Sequence, residues 1–247
     1  IYAGSYDDIA DCGIIIVTAG ANQKPGESRL DLVQKNTAIF KSIIPEISRR
    51  HFEGILLIVS NPVDILTYVP AHRVIGSGTV LDSGRLKYLL GRKLKVDSRS
   101  VHANIIGEHG DSELAVWSSA NVSGVPLEHF SKLRGDTETP RELEHLYEDV
   151  RDSADAIIRK KGASYYGIAL AVRRITECII RDEHSILPVS SLVPGIYGLQ
   201  DLCLSLPTVV GAEGIEQVLD IELNQEEEQE LKRSAATIKE VLSQLKL

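Results

Sequence analysis

The sequence predicts an α/β fold, with a doubly wound parallel sheet followed by an α+β region. Three short runs at 13–17, 55–59 and 74–79 carry this prediction. They are rich in branched residues and do not alternate with polar ones, which is typical of parallel strands buried on both faces. A helical pattern from Leu30 to Arg49 separates the first two runs, so strand, helix and strand predict a right-handed crossover.

The helical patterns carry two local signals. Pro45 lies inside the first pattern, where it predicts a kink or the start of a second helix. Near the C-terminus, Asn224 and Glu227 form a capping-box pattern ahead of apolar residues at helical spacing. The acidic residues of this first turn complement the helix dipole, and we expect a solvated amphipathic helix.

Composition limits the class of protein. The 247 residues carry 27 Lys and Arg against 35 Asp and Glu, and 43% are hydrophobic, which excludes disordered and fibrous chains. The net charge of −8 argues against a nucleic-acid partner, and no apolar run is long enough to cross a membrane. Three scattered cysteines indicate neither a disulfide framework nor a metal cluster, and they suit a reducing cytoplasm.

Polar and glycine residues follow each predicted strand, at 18–20, 60–62 and 77–79. Taken singly, each group is equally well explained as a turn. Because ligands of parallel sheets bind beyond the carboxyl ends of the strands, three such groups in succession favour a binding site there.

His109 is the candidate proton carrier, since glycines lie close on both sides of it and imidazole titrates near neutrality. Considered by itself, it is more simply a loop residue. Asp82 and Arg85 share a face of the next predicted helix, either as a surface ion pair or as a carboxylate that orients a histidine beside an anion-binding guanidinium. No histidine pair has the spacing of a metal site with a cysteine, so we predict no metal.

In order and spacing, segments 18–30, 60–64, 76–85 and 107–112 resemble the bacterial L-lactate dehydrogenases of the lactate/malate dehydrogenase family. The resemblance extends over almost the whole chain. It implies a Rossmann-type domain and reversible hydride transfer between NADH and pyruvate, giving L-lactate, as the last step of fermentative glycolysis.

The resemblance assigns catalytic roles to three residues. His109 would protonate the carbonyl oxygen of pyruvate, and Asp82 would stabilise the imidazolium form of His109. Arg29 would polarise the carbonyl when the loop that carries Arg29 closes. Arg85 would hold the substrate carboxylate with two parallel bonds. Asn61 would contact both substrate and nicotinamide ribose, ahead of a cis peptide to Pro62 that is common in the family.

Further binding residues follow from the same resemblance. Gln23 stands where the malate dehydrogenases of the family have arginine, which favours pyruvate and leaves malate dehydrogenase activity as the alternative. Ser164 replaces the usual threonine beside the substrate, and we expect this to have a small effect. The residues implied in NAD binding are Thr18, Ala19, Gly20, Val59 and Asn61.

Many bacterial members are homotetramers that fructose 1,6-bisphosphate activates through an arginine and a histidine at a subunit interface. His102 matches the histidine, whereas Lys87 stands in place of the arginine. Lysine binds phosphate without the fork of a guanidinium, so the resemblance implies a weaker activator site.

The resemblance divides the chain into a partial dinucleotide-binding domain at 1–80 and a substrate domain with a C-terminal helix at 81–247. The first βαβ unit of the family, with its glycine-rich turn, has no counterpart here. A further helical piece after Val69 also has none, and residues 63–69 by themselves would make a poor crossover. The favoured explanation is a working dehydrogenase whose printed sequence omits segments. The alternative is a truncated, non-catalytic fragment or assembly module.

Overall fold

The computed structural model describes residues 1–21, 29–68, 73–135 and 140–245. Its helices are α1 (Arg29–Ser48), α2 (Val63–Leu66), α3 (Val80–Leu94), α4 (Leu127–Leu133), α5 (Pro140–Arg151), α6 (Ser153–Lys161), α7 (Tyr166–Ile180) and α8 (Gln225–Gln244). Its strands are β1 (Ile14–Val17), β2 (Ile55–Ile58), β3 (Val74–Gly76), β4 (Val101–His102), β5 (Ile105–Ile106), β6 (Leu114–Ala115), β7 (Asn121–Val122), β8 (Val125–Pro126), β9 (Ser185–Leu192), β10 (Cys203–Gly211) and β11 (Gly214–Val218).

The three predicted parallel strands are present and adjacent. β1 pairs with β2, and β2 pairs with β3, both in parallel. All four residues of β2 are buried, and they alternate between two layers. Leu56 and Ile58 pack in the cluster that contains Phe40 of α1, whereas Ile55 and Leu57 pack in the cluster that contains Ile175 of α7. Helices on both faces therefore explain why the strand sequence is apolar without alternation.

The sheet does not end at its parallel strands, which is a feature that the sequence did not predict. β9, β10 and β11 continue it as antiparallel neighbours, in the order β1-β2-β3-β9-β10-β11. Glycine permits the junction, because a Cβ built on Gly76 would lie 2.8 Å from Cβ of Ser190. Gly78 has φ +52°, and a Cβ built on it would lie 2.5 Å from the backbone nitrogen of Ser190. Strands from both sides of the predicted domain boundary at residue 80 share one sheet, so separate sheets do not mark this boundary. The boundary stays a prediction.

The connection between β2 and β3 spans residues 59–73 and contains the single-turn helix α2. The two strands pair in parallel although residues 63–69 were expected to make a poor crossover. Residues 69–72 of this connection lie outside the described residues. The peptide between Asn61 and Pro62 is cis, as the resemblance implied.

The two longest helices agree closely with their sequence patterns. α1 continues through Pro45, so the prediction of a second helix at this proline is wrong. α8 begins with the predicted capping box, in which Asn224 accepts from the backbone N–H groups of Glu226 and Glu227. The expectation that the acids of this turn are solvated is wrong for Glu227. Its carboxylate is buried and accepts 2.9 Å and 2.5 Å hydrogen bonds from the backbone N–H and the hydroxyl of Ser118.

Among the helices that the structure describes, none combines the length and apolar character that crossing a membrane requires.

Candidate active site

The ends of β1 and β2 are joined by side chains that the sequence analysis did not single out. Asn36 of α1 is buried and uses its whole amide: Oδ1 accepts from the backbone N–H of Ala21 at 2.7 Å, and Nδ2 donates to the carbonyl oxygen of Asn61 at 2.6 Å. Ser60 donates from Oγ to the carbonyl of Ala19 at 2.6 Å. These bonds satisfy buried polar groups and hold the ends of the two strands together. We call the surface formed by residues 18–21 and 59–61 the ledge.

The loop that carries His109 is anchored to the same ledge by Asp64, the second residue of α2. One carboxylate oxygen of Asp64 accepts from the backbone N–H of His109 at 2.7 Å, and the other accepts from Oγ of Ser190 at 2.5 Å. Asp64 is only 1% exposed, so both bonds lie in the interior, where they are strongest. Asp64 was visible in the sequence only as part of the 60–64 segment.

Helix α3 is attached to the strand that precedes this loop. Thr79 donates from Oγ1 to the carbonyl of Ile105 at 2.5 Å, and the backbone N–H of Ile105 donates to Oγ of Ser83 at 2.8 Å. On the other side of the loop, the backbone N–H of Glu108 donates to Oγ of Ser234 in α8 at 2.8 Å. The position of His109 relative to α3 is therefore set by buried hydrogen bonds from two helices.

These attachments bring His109, Asp82 and Arg85 together. Nδ1 of His109 lies 2.8 Å from Oδ2 of Asp82, as an ion pair rather than a well-aligned hydrogen bond. Nη1 of Arg85 lies 3.2 Å from the other oxygen, Oδ1. The Asp82 side chain is 6% exposed and that of Arg85 is 16% exposed, so this is not the surface ion pair that the sequence left open.

The protonation of this group follows from burial and charge. Burial lowers the pKa of His109, but the charge of Asp82, its contact with the ring, and the charges of Glu113 and Asp64 together outweigh burial and raise the pKa to about 9. Burial raises the pKa of Asp82, yet the neighbouring His109 and Arg85 hold it below its usual value. At neutral pH the structure thus favours an imidazolium beside a carboxylate, which is an arrangement able to donate a proton.

A fourth ionisable group lies in this site, and the sequence analysis missed it. Glu113 is buried, and polar atoms of Glu113, His109 and Asp82 all lie within 4.8 Å of one another. Its only sequence signal is its place one residue beyond the segment 107–112. Burial, and then the charge of Asp82, raise the pKa of Glu113 to about 8.

His109, Asp82 and Glu113, but not Arg85, border a cavity of about 370 Å³ at the carboxyl edge of the parallel strands. Its lining comes from α1, the cis peptide, α3, the His109 loop, α5 and α6: Leu32, Asn61, Pro62, Asp82, His109, Gly110, Asp111, Glu113, Arg151, Asp152, Ala154 and Ile158. The size suits a small polar molecule, and the lining offers it a proton donor and an amide.

The predicted cofactor residues lie along the ledge beside this cavity. Thr18, Ala19 and Gly20 are exposed at the end of β1, and Val59 is half-buried after β2. A Cβ built on Gly20 would lie 3.4 Å from Nδ2 of Asn36, in ordinary van der Waals contact. Small residues and exposed backbone at adjacent strand ends fit a dinucleotide laid across them.

The remaining predicted residues are placed less completely. Ser164 is half-buried just before α7. Gly167 in the first turn of α7 faces Arg85, because a Cβ built on it would lie 3.9 Å from Nη2. Arg29 is the first residue of α1, whereas Gln23 lies outside the described residues.

The two residues predicted for the activator differ in their surroundings. Lys87 lies on α3, where burial, and then the charge of Arg174, lower its pKa. His102 is exposed on β4.

Comparison with known proteins identifies relatives along the whole chain. The description "lactate/malate dehydrogenase, NAD binding domain" matches residues 1–76, and "lactate/malate dehydrogenase, alpha/beta C-terminal domain" matches residues 79–246. The chain is 54% identical to the L-lactate dehydrogenase of Acetivibrio thermocellus, with 99% of this chain and 80% of that protein covered. It is 51% identical to that of Thermoanaerobacterium saccharolyticum, with 99% and 81% covered.

Solved structures agree with these relatives. The minor L-lactate dehydrogenase of Enterococcus mundtii, in a ligands-bound form, superposes with a TM-score of 0.94 at 39% identity, over 99% of this chain and 80% of that one. A lactate dehydrogenase from a Medee basin deep-sea metagenome superposes with a TM-score of 0.91 at 42% identity, over 97% and 79%. The chain spans about four-fifths of the length of each of these proteins.

Substitution of Asp82 tests the electrostatic description of the site. In Asp82→Asn the charge that opposes the burial of His109 is lost, so we expect the pKa of the imidazole to fall below about 9 by at least about one pH unit. NMR titration of the His109 ring measures this value. Asp97→Asn, on an exposed turn, is the control; an unchanged His109 titration in Asp82→Asn would contradict the assignment.

Proposed function

The chain belongs to the lactate/malate dehydrogenase family, and we propose that it catalyses the reversible reduction of pyruvate to L-lactate with NADH. The observation that carries the proposal is the ion pair of His109 and Asp82 at 2.8 Å, which borders a small polar cavity beside the dinucleotide ledge. Such a pair supplies the one proton that reduction of a ketone to an alcohol consumes.

Thr18, Ala19, Gly20, Val59 and Asn61 would hold the NAD cofactor along the ends of β1 and β2. Bound NADH supplies the hydride, and NAD⁺ accepts it in the reverse direction. The hydrogen bonds of Asn36 and Ser60 hold these strand ends together.

His109 would provide the proton from Nε2, because Nδ1 faces Asp82. The charge of Asp82 stabilises the imidazolium before proton transfer. After transfer His109 is a neutral imidazole, which can accept the hydroxyl proton of lactate in the reverse reaction. Since the backbone of His109 is anchored by Asp64, the ring is presented to the cavity without a large reorganisation.

The substrate would be held by residues around this proton donor. Arg85 would pair with the carboxylate of pyruvate, Ser164 would lie beside the substrate, and Asn61 would contact the substrate from the ledge. Arg29 would polarise the carbonyl. A guanidinium that forms two parallel bonds fixes both the position and the orientation of a carboxylate.

Replacement of the proton donor tests the proposed reaction. In His109→Asn we expect kcat for pyruvate reduction to fall by at least about a hundredfold, because general acid catalysis is lost. NADH binding, followed by nicotinamide fluorescence, should remain. His145→Asn, at an exposed histidine of α5, is the matched control and should keep full activity. Retained turnover in His109→Asn would contradict the assignment.

Substrate choice is proposed to depend on Gln23. A neutral amide suits the methyl group of pyruvate, whereas the second carboxylate of oxaloacetate would be left unpaired beside it. Gln23→Arg should therefore raise kcat/KM for oxaloacetate relative to pyruvate by about a hundredfold or more. Gln34→Arg, on α1, adds the same charge elsewhere and serves as the control. An unchanged ratio would favour a different specificity determinant.

Regulation and assembly are proposed from Lys87 and His102. We propose a homotetramer in which these two side chains bind fructose 1,6-bisphosphate, more weakly than an arginine in place of Lys87 would allow. We expect the bisphosphate to lower the apparent KM for pyruvate in steady-state assays and Lys87→Ala to abolish this effect. No response to the bisphosphate would contradict the site, and a monomeric mass in analytical ultracentrifugation would contradict the tetramer.

We propose a cytoplasmic location from the proposed metabolic role. Cys12, Cys178 and Cys203 are free in the structure, which suits a reducing compartment. Cell fractionation that recovered the protein outside the cytoplasm would contradict it.

A further inference from the structure

We propose that Glu113 is a positioning residue for the acid–base step, whose ionisation decides how firmly His109 holds its proton. This inference rests on the proposed role of His109 as proton donor. It assigns a function to a buried carboxyl that lies beside the His109–Asp82 pair.

The geometry places Glu113 in the electrostatic field of the proton donor. Polar atoms of Glu113, His109 and Asp82 lie within 4.8 Å of one another, and Glu113 is 7% exposed. At such distances, and away from bulk water, a full charge on one group changes the proton affinity of the others strongly. The hydroxyl of Tyr147 donates to the backbone carbonyl of Glu113 and so holds its main chain.

Glu113 borders two cavities. Glu113 lines the catalytic cavity together with His109 and Asp82, and it lines a second cavity of about 600 Å³ between α5 and α8. Asp111 and Arg151 also border both spaces. The second cavity is partly open to solvent, and its lining is mixed polar and apolar.

Charges from every neighbouring element act on this group. α3 contributes Asp82 and Arg85, and α5 contributes Arg151. Asp64 of α2 acts on His109. The second cavity adds charged residues of α5 and α8, namely Glu144, Glu226, Glu227, Glu230 and Arg233. Of the charges that act on Glu113 itself, that of Asp82 favours the neutral form, whereas those of His109, Arg85 and Arg151 favour the carboxylate.

The balance of these effects sets the pH at which Glu113 acts. Burial, and next the charge of Asp82, raise the pKa of Glu113 to about 8, against the opposing charges of His109, Arg85 and Arg151. Below that pH the carboxyl is neutral and has little effect on the imidazolium. Above it, the new carboxylate stabilises the imidazolium and postpones its deprotonation. The two groups therefore titrate as a coupled pair.

The test is Glu113→Gln, which keeps the shape of the neutral carboxyl but cannot ionise. Below pH 7, kcat/KM for pyruvate reduction should match that of the unmodified protein within about twofold, since both side chains are neutral. At higher pH the variant lacks the carboxylate that retains the proton on His109. The falling limb of its pH profile should move to lower pH by about one pH unit, and lactate oxidation should rise at correspondingly lower pH.

Two further variants separate an electrostatic role from a structural one. Glu113→Asp keeps an ionisable group and should restore the falling limb at least in part. Glu230→Gln removes a carboxyl from the wall of the second cavity, away from His109, and should leave the profile unchanged. A Glu113→Gln profile that is reduced by the same factor at every pH, with its falling limb in place, would overturn the proposal.

NMR titration of the His109 ring provides a readout that does not require turnover. We expect the ring to titrate at lower pH in Glu113→Gln than in the unmodified protein, and equal titrations would overturn the proposal. If the unmodified protein failed to reduce pyruvate while this difference was present, the proposed function would fail and the coupling of Glu113 to His109 would stand.

Discussion

Burial of the Asp82 carboxylate is the constraint on which the site depends. A carboxylate that is 6% exposed is costly unless opposite charges compensate it, and here one oxygen faces His109 and the other faces Arg85. The same arrangement serves chemistry, because it keeps the imidazole protonated despite its own burial. Proton donor and anion-binding cation are thus held together by a single electrostatic requirement.

Holding that ion pair requires several elements that are far apart in the chain. Asp64, from the turn after the cis peptide, binds the backbone of His109, and it also binds Ser190 of β9, 126 residues away in sequence. Thr79 and Ser83 connect the start of α3 to the strand that precedes the His109 loop. The antiparallel half of the sheet therefore supports the active site as well as the core.

Family membership and local geometry lead to the same chemistry by independent routes. The chain is about half identical to L-lactate dehydrogenases, and the structure places Nδ1 of His109 2.8 Å from Oδ2 of Asp82. Asn36 and Glu113 lie outside the motif segments and Ser60 and Asp64 within one of them, and all four are buried polar residues around the site. Their contributions are electrostatic and geometric, and they are visible only once the surroundings of each side chain are known.

The sequence by itself determined the features that depend on neighbours in the chain. Unalternating branched runs identified strands buried on both faces, Asn224 and Glu227 identified the start of α8, and motif order identified the family. Tertiary structure decided which polar groups are buried and what faces them. The pairing of β3 with β9, the buried carboxylate of Glu227 and the proximity of Glu113 to His109 could not be predicted. Hydropathy patterns record which residues avoid water, whereas the pKa of a buried acid depends on charges brought to it from distant segments.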